Sequence, residues 1–247
     1  SHCEDLSLAQ NFAVNEGAVS RELGIPGRPA IAEEIMVMRD LMLAEETGAH
    51  IHIAHVSTAR SVALIEEAKR RGVRVTAETC PHYFALTEKE ILAHGAAARV
   101  NPPLRTEKDV AAIVAGLQSG AIDAIATDHA PHAADEKALP LTEAPSGISG
   151  LETSLAVALT YLYHTGRLDL MAVIDLMSTA PAAILGLDKG RIGPGDEADI
   201  VIFDPDEEWT VSPARFFSRG KSTPFAGARL KGRVKYTICR GKLVYKD

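Results

Sequence analysis

Cysteine is scarce in this chain, with only Cys3, Cys80 and Cys239 among 247 residues. An odd number without short repeated spacings excludes a disulfide framework and favours a reducing compartment, so the chain reads as cytoplasmic. Long apolar runs are lacking as well. No stretch reaches the roughly 18 apolar residues of a membrane span, and the first residues lack the charged-then-apolar plan of a signal peptide, so no membrane partner is expected. Positive charge is in deficit. The 26 Lys and Arg against 33 Asp and Glu leave a net charge of −7, which argues against a nucleic-acid surface, since phosphate contacts need clustered basic residues. A small anionic substrate stays open, because one local Arg or His can bind it.

What is present is the composition of a folded protein, 46% hydrophobic and 24% charged, and the length fits one large domain or one domain with a small satellite. From residue 6 to about 180, helical and strand-like patterns alternate. The segment 30–48 carries Ile31, Ile35, Met38, Leu41 and Met42 at helical spacing and stops at a glycine, which predicts an amphipathic helix. Residues 50–57, 73–80 and 121–129 are short, rich in β-branched residues and read as buried strands. Helices are predicted from Ser57 or Thr58 to Gly72, over 86–95 with Thr87 and Glu90 at capping-box spacing, over 106–120, and over about 149–165 and 168–186. Strands alternating with helices mean a parallel sheet, open or closed into a barrel. After residue 187 short strand patterns are separated by Gly, Pro and Asp turns, so 1–187 reads as an α/β domain and 188–247 as a β region.

In parallel sheets the chemistry sits at the C-terminal strand ends, where the loops splay open. The polar residues fall there: His55 ends one strand, Cys80 to His82 follow another, and Asp128 ends a third. Together with His2, two imidazoles and a carboxylate make a ligand set suited to zinc or a similar divalent metal. Spacing alone leaves a hydrogen-bonded structural role open for each histidine. His50 and His52 alternate away from His55 and read as structural. His82 and Tyr83 read as loop packing, His129 as a packing residue near the site, Cys3 and Cys80 as inert buried thiols, and Arg71 and Arg105 as solvated surface charges. Trp209, Phe216 and Phe217 are expected to pack the β region.

The stretches "HCED", "HIAHVST", "AETCPHYF", "NPPLR", "IATDHAPH", "PSGISGLET" and "GRIGPGDEADIVIFDP", in this order, closely resemble the class I bacterial dihydroorotases of the amidohydrolase superfamily across essentially the whole chain. "NPPLR", "IATDHAPHAADEK" and "PSGISGLET" set dihydroorotases apart from hydantoinases and allantoinases, which share the "HVS" and late β motifs. The resemblance implies the C-terminal half of a metal-dependent-hydrolase TIM (β/α)8 barrel followed by part of a small β-sandwich. It implies that His2 and His55 ligate the second metal. Asp128 would ligate the first and serve as general base and acid. Asn101, His132, Ser146 and Gly147 would bind substrate. The implied reaction is reversible hydrolysis of dihydroorotate to N-carbamoyl-L-aspartate in pyrimidine synthesis, with two Zn2+ implied per complete site. Two alternatives stay open: a hydantoinase- or allantoinase-type cyclic amidohydrolase, and a non-catalytic subunit supporting an aspartate transcarbamoylase.

One departure from the family is large. Its members carry, upstream of these motifs, a His-x-His-x-Arg, a substrate-binding asparagine and a bridging aspartate or carboxylated lysine, and none of these is in this chain. The first metal would keep only Asp128. The expected partners are therefore the small-molecule substrate, the missing N-terminal half of the same enzyme and a second copy in a homodimer, and the chain alone is expected to be inactive.

Overall fold

Short β-branched segments in the first half of the chain pair as parallel strands in the computed structural model, which describes residues 1–247. β1 (Val14–Asn15) and β2 (Gly27–Arg28) form one pair. A second set runs in the order β3 (Ile51–Ile53), β4 (Val75–Thr79), β5 (Ala124–Ile125), with Ile51 opposite Val75 and Glu78 opposite Ala124. Helix α1 (Ile31–Thr47) leads into β3, α2 (Ala59–Arg70) connects β3 to β4, and α3 (Pro81–Ala85) and α4 (Glu107–Ser119) lie between β4 and β5. Each crossover is long enough to return the chain for a parallel strand. These elements belong to a compact unit of Ser1–Glu152 with Pro213–Pro224.

Local chemistry accounts for the helix ends. The Thr58 hydroxyl accepts from the Ser61 amide at the start of α2, and Thr106 and Asp109 close a capping box on α4, each satisfying amides that a helix start leaves unpaired. Gly48 and Gly120 end α1 and α4 in the left-handed region, where glycine carries no Cβ penalty. The expected Thr87 cap is absent: the helical turn there starts at Glu90, after Lys89, without a side-chain cap. The strand expected over 121–129 pairs with β4 only at Ala124 and Ile125, and at its polar end His129 makes an isolated parallel bridge to Ile148.

The buried side of α1 differs from the expected one. Ala32, Glu33, Val37, Asp40, Leu41 and Ala44 face inward, while Ile31, Ile35, Met38 and Met42 are exposed. The two acids on the inner face are satisfied: the amides of Ser57 and Thr58 donate to Glu33 at 3.1 and 3.2 Å, and Ser1 Oγ donates to Asp40 at 2.6 Å. Buried carboxylates are tolerated where such partners replace water.

The second unit comprises Thr153–Ser212 with Phe225–Asp247. Helices α5 (Ser154–Ala158), α6 (Leu170–Ile174) and α7 (Ala180–Ile184) are extended by π turns over Leu159–Tyr163 and Asp175–Thr179. β6 (Ile200–Thr210), β7 (Arg229–Cys239) and β8 (Lys242–Lys246) form an antiparallel meander, with irregular register after Ile202 and Asp204. The change at residue 187 marks where helices give way to strands, whereas packing groups 153–212 together. Trp209 pairs across from Leu230, its indole N–H donates to the Gly232 carbonyl at 2.9 Å, and the Arg233 guanidinium lies 5.6 Å from its ring centre. Phe216 and Phe217 lie in the Pro213–Pro224 segment of the first unit, Phe216 buried and Phe217 exposed. Both thus belong to the unit that holds the parallel strands.

Gly232 sits at φ +98°, and an added Cβ would run into the side chain of the fully buried Leu159. Gly232→Ala should lower the unfolding free energy by about 2–4 kcal/mol. Adding Leu159→Ala should cost less than the sum of the two single changes in urea melts. His82, buried in α3, has its imidazole pushed down to about 3, by burial first and then by the nearby His55. Below pH 6.5 the unfolded chain binds a proton that the folded chain refuses until about pH 3, so stability should fall by about 1.4 kcal/mol per pH unit across that window. His82→Gln should flatten this slope, measured by denaturation at pH 7, 6 and 5.

Candidate active site

The parallel strands point their C-terminal ends the same way, and the backbone turns abruptly there. His55 lies two residues past β3 and Asp128 three past β5, at φ +39° and +44°. Only four non-glycine residues in the chain have positive φ, a conformation that costs about 1–3 kcal/mol and persists only where surrounding contacts impose it. The contacts are on hand: the Val56 amide donates to the Glu78 carbonyl at 2.8 Å, the Thr79 hydroxyl to the Val56 carbonyl at 2.9 Å, and the Ala126 amide to the Thr79 carbonyl at 2.9 Å. The first residues of the chain run against β3, where the Ala54 amide donates to the Ser1 carbonyl at 2.9 Å. This brings His2 to His55.

His2 Nδ1 and His55 Nε2 are 2.8 Å apart, and the two rings meet edge to face at 4.7 Å. Two nitrogens bound at about 2.0–2.1 Å to one tetrahedral zinc would lie about 3.3 Å apart, so this pair stands close to the spacing of a shared cation. His55 Nδ1 is buried without a hydrogen-bond partner. Burial, reinforced by the neighbouring His2, holds the His55 imidazole below its ordinary range despite the opposing pull of Asp128. A neutral ring keeps a lone pair free for a ligand. Asp128 moves the other way: burial pushes its carboxyl up, His55 and His2 pull it back, and Glu78 adds to the rise. The donor set of imidazole and carboxylate fits a divalent metal.

Cys80 and His82 converge on Asp128 from the β4 end, with ligand atoms of all three within 4.8 Å of one another. From the sequence alone His82 reads as loop packing. It lies in α3, fully buried, with Nε2 unpartnered. The Cys80 thiol is driven well above its ordinary value by burial and the nearby carboxylates of Asp128 and Glu78, and burial raises that of Cys3 to about 11. Both thiols stay protonated and inert at neutral pH.

The Asn101 side chain joins a charged cluster: the Arg28 guanidinium donates to Asn101 Oδ1 and to Glu4 Oε1. Glu4 Oε2 lies 3.2 Å from His2 Nε2. Burial works against ionised Glu4, but the hydrogen bonds from Arg28, His2 and Asn101 prevail and hold its carboxyl below the usual range. Arg105, read from sequence as a surface charge, is buried. It donates to Asn15 Oδ1 at 2.8 Å and Ser57 Oγ at 3.2 Å and lies 3.7 Å from Glu33. Its only sequence signal was a cation inside an apolar, proline-rich stretch.

His132 donates through Nε2 to the Ser146 carbonyl at 2.9 Å, which joins two of the predicted substrate-binding positions. Arg99 Nε donates to Ser146 Oγ at 3.2 Å, and the Gly147 amide donates to the Arg99 carbonyl at 2.9 Å. The Lys137 ammonium reaches the carbonyls of Pro145 and Gly147, both at 2.9 Å, although burial lowers it to about 8. Gly147 has φ +138°, and an added Cβ would lie 2.5 Å from the Ala130 carbonyl oxygen, so only glycine fits. Gly220 packs against the Pro131 ring and the backbone of His132, and the Ser149 hydroxyl donates to the Gly220 carbonyl at 2.6 Å. Sequence reasoning gave no hint that residues 213–224 support this loop. His129 Nδ1 accepts from the Leu151 amide at 3.2 Å, and His50 and His52 both contact the Thr76 hydroxyl.

Curated relatives and solved structures resemble the whole of this chain. It is 50% identical over 247 residues to a dihydroorotase of Syntrophus aciditrophicus and 52% identical to one of Pelotomaculum thermopropionicum, covering 100% of this chain and 58% of each relative. The chain thus spans a little over half the length of the curated relatives it matches. A dihydropyrimidinase from Brevibacillus agri superposes with a TM-score of 0.88 at 26% identity, covering 99% of this chain and 56% of that one. An L-hydantoinase from Arthrobacter aurescens gives 0.89 at 29%, with the same coverages. The α/β architecture, with parallel strands and an antiparallel sheet, is that of these enzymes, whose family is generally metal-dependent. The model of the amidohydrolase family matches residues 7–244, and with these likenesses in sequence and fold the chain belongs to that family.

Proposed function

We propose that this chain is the C-terminal part of a cytoplasmic dihydroorotase, which hydrolyses the cyclic amide of dihydroorotate reversibly to N-carbamoyl-L-aspartate. The observation that carries the reading is the identity of about half of all residues to several dihydroorotases over the whole chain, against 26–29% to the hydantoinase-type structures. The contact of His2 with His55 and the convergence of Asp128 on the same strand ends support it.

His2 and His55 would hold one divalent ion, zinc in this reading, and Asp128 another, with the remaining ligands supplied by residues outside this chain. When bound, such a pair lowers the pKa of water toward roughly 7 and polarises the amide carbonyl. Asp128 takes the proton of the attacking water as oxygen adds to the carbonyl carbon, and returns it to the ring nitrogen as the carbon–nitrogen bond breaks. Its upward-shifted carboxyl suits both halves of that exchange. Asn101, His132, Ser146 and Gly147 hold the ring and its carboxylate. The Arg28 cluster orients the asparagine, while Lys137 and Arg99 keep the 145–147 loop in place.

The hydantoinase-type alternative is favoured only by the superpositions. Substrate preference separates the two readings: in the enzyme assembled with an N-terminal half, dihydroorotate should be turned over in preference to hydantoin or dihydrouracil. His132→Ala should raise KM for dihydroorotate more than for the substrates without a ring carboxylate. Asp128→Asn should lower kcat by about 10²–10⁴, and near-normal turnover would sink its proton-transfer role. The isolated chain should show no turnover.

A further inference from the structure

The His2–His55 contact has a definite polarity. His2 meets His55 through Nδ1, and its other nitrogen, Nε2, lies 3.2 Å from Glu4 Oε2. Glu4 is ion-paired with Arg28, and the two side chains are only 10% and 7% exposed. Asn101 Nδ2 reaches the same Oε2 at 3.4 Å, so the carboxylate is held from three sides. An ionised carboxylate only accepts, and a neutral imidazole has one N–H and one lone pair. The proton of His2 therefore sits on Nε2, and Nδ1 is bare. The bond to His55 then needs its proton on His55 Nε2, which leaves His55 Nδ1 without one. That atom is the buried nitrogen with no partner.

We propose that Glu4, pinned by Arg28, is a positioning residue that locks His2 in the Nε2–H tautomer and so aims the Nδ1 lone pair at the gap shared with His55. This rests on the reading of His2 and His55 as metal ligands. A carboxylate on the far nitrogen of a ligating histidine fixes ring orientation and raises ligand basicity, and its loss typically costs 10–100-fold in metal affinity. The cluster also links this lock to the candidate substrate residue, because Arg28 reaches both Glu4 and Asn101. A cation entering the gap takes the place of the His55 Nε2 proton, which must leave for Nδ1 or for water.

The test uses the full chain labelled with ¹⁵N, with histidine tautomers read from long-range proton–nitrogen spectra, first metal-free and then with added Zn2+. Wild-type His2 should show the Nε2–H tautomer alone, and Glu4→Ala a mixture, with zinc affinity 10–100-fold weaker. An unchanged His2 tautomer in Glu4→Ala overturns the proposal. If Glu4→Ala does not fold, Glu4→Gln keeps an acceptor oxygen but removes the charge: weaker zinc binding supports the proposal and equal affinity overturns it. Zinc that leaves the wild-type His2 and His55 signals unmoved overturns the ligand reading itself, separately from the tautomer comparison.

Discussion

Left-handed backbone at two strand ends is the constraint on which the rest of the site depends. At φ +39° and +44°, His55 and Asp128 turn away from the direction of β3 and β5 at the point where their side chains would otherwise follow the sheet's alternation. Histidine and aspartate tolerate that geometry better than most side chains, but it still costs free energy that surrounding contacts must offset. It is held by hydrogen bonds from the residues just past β3 and β5 to β4, such as those of Val56 with Glu78 and of Ala126 with Thr79. Because each strand end is braced by the next, the spacing between imidazole and carboxylate follows from the pairing of the sheet.

Beneath this edge lie buried ions that are stable only as partners. Arg105 with Glu33 and Asn15, and Arg28 with Glu4 and Asn101, each take charge out of water and return the lost hydration as directed hydrogen bonds. Removing one member of such a group leaves the other uncompensated, which is far costlier than losing a surface pair. Charges are paired within these groups, whereas one ring nitrogen each of His55 and His82 has no partner. Around the 145–147 loop, backbone carbonyls play the corresponding part: Lys137 gathers those of Pro145 and Gly147, and Gly147 allows the close approach to Ala130.

Much of the fold was legible because periodicity and capping chemistry are local. The helices 31–47, 59–70 and 107–119 and the strands near 51, 75 and 124 lie where apolar spacing, Thr caps and terminal glycines put them. The orientation of α1 was not legible. Apolar residues occupy both of its faces, and the inner one is chosen by Glu33 and Asp40, whose partners Ser57, Thr58 and Ser1 come from distant parts of the chain. The same holds for Arg105, which looks like any exposed cation until Asn15 and Glu33 are brought to it.

By itself, the sequence determined the alternation that makes a parallel sheet, the placing of His55, Cys80 and Asp128 at strand ends, and the motif set shared with the amidohydrolases. These are properties of short stretches, and hydrogen-bonding and burial preferences act over such distances. Tertiary structure alone decided that His2 meets His55 through Nδ1, that Glu4 and Arg28 back the pair, that Cys80 and His82 close on Asp128, and that residues 213–224 brace the loop of His132. Apart from the local contact of His2 with Glu4, those contacts join residues 24 or more positions apart, and only the packing of one element on another sets which distant groups share a few ångströms of space.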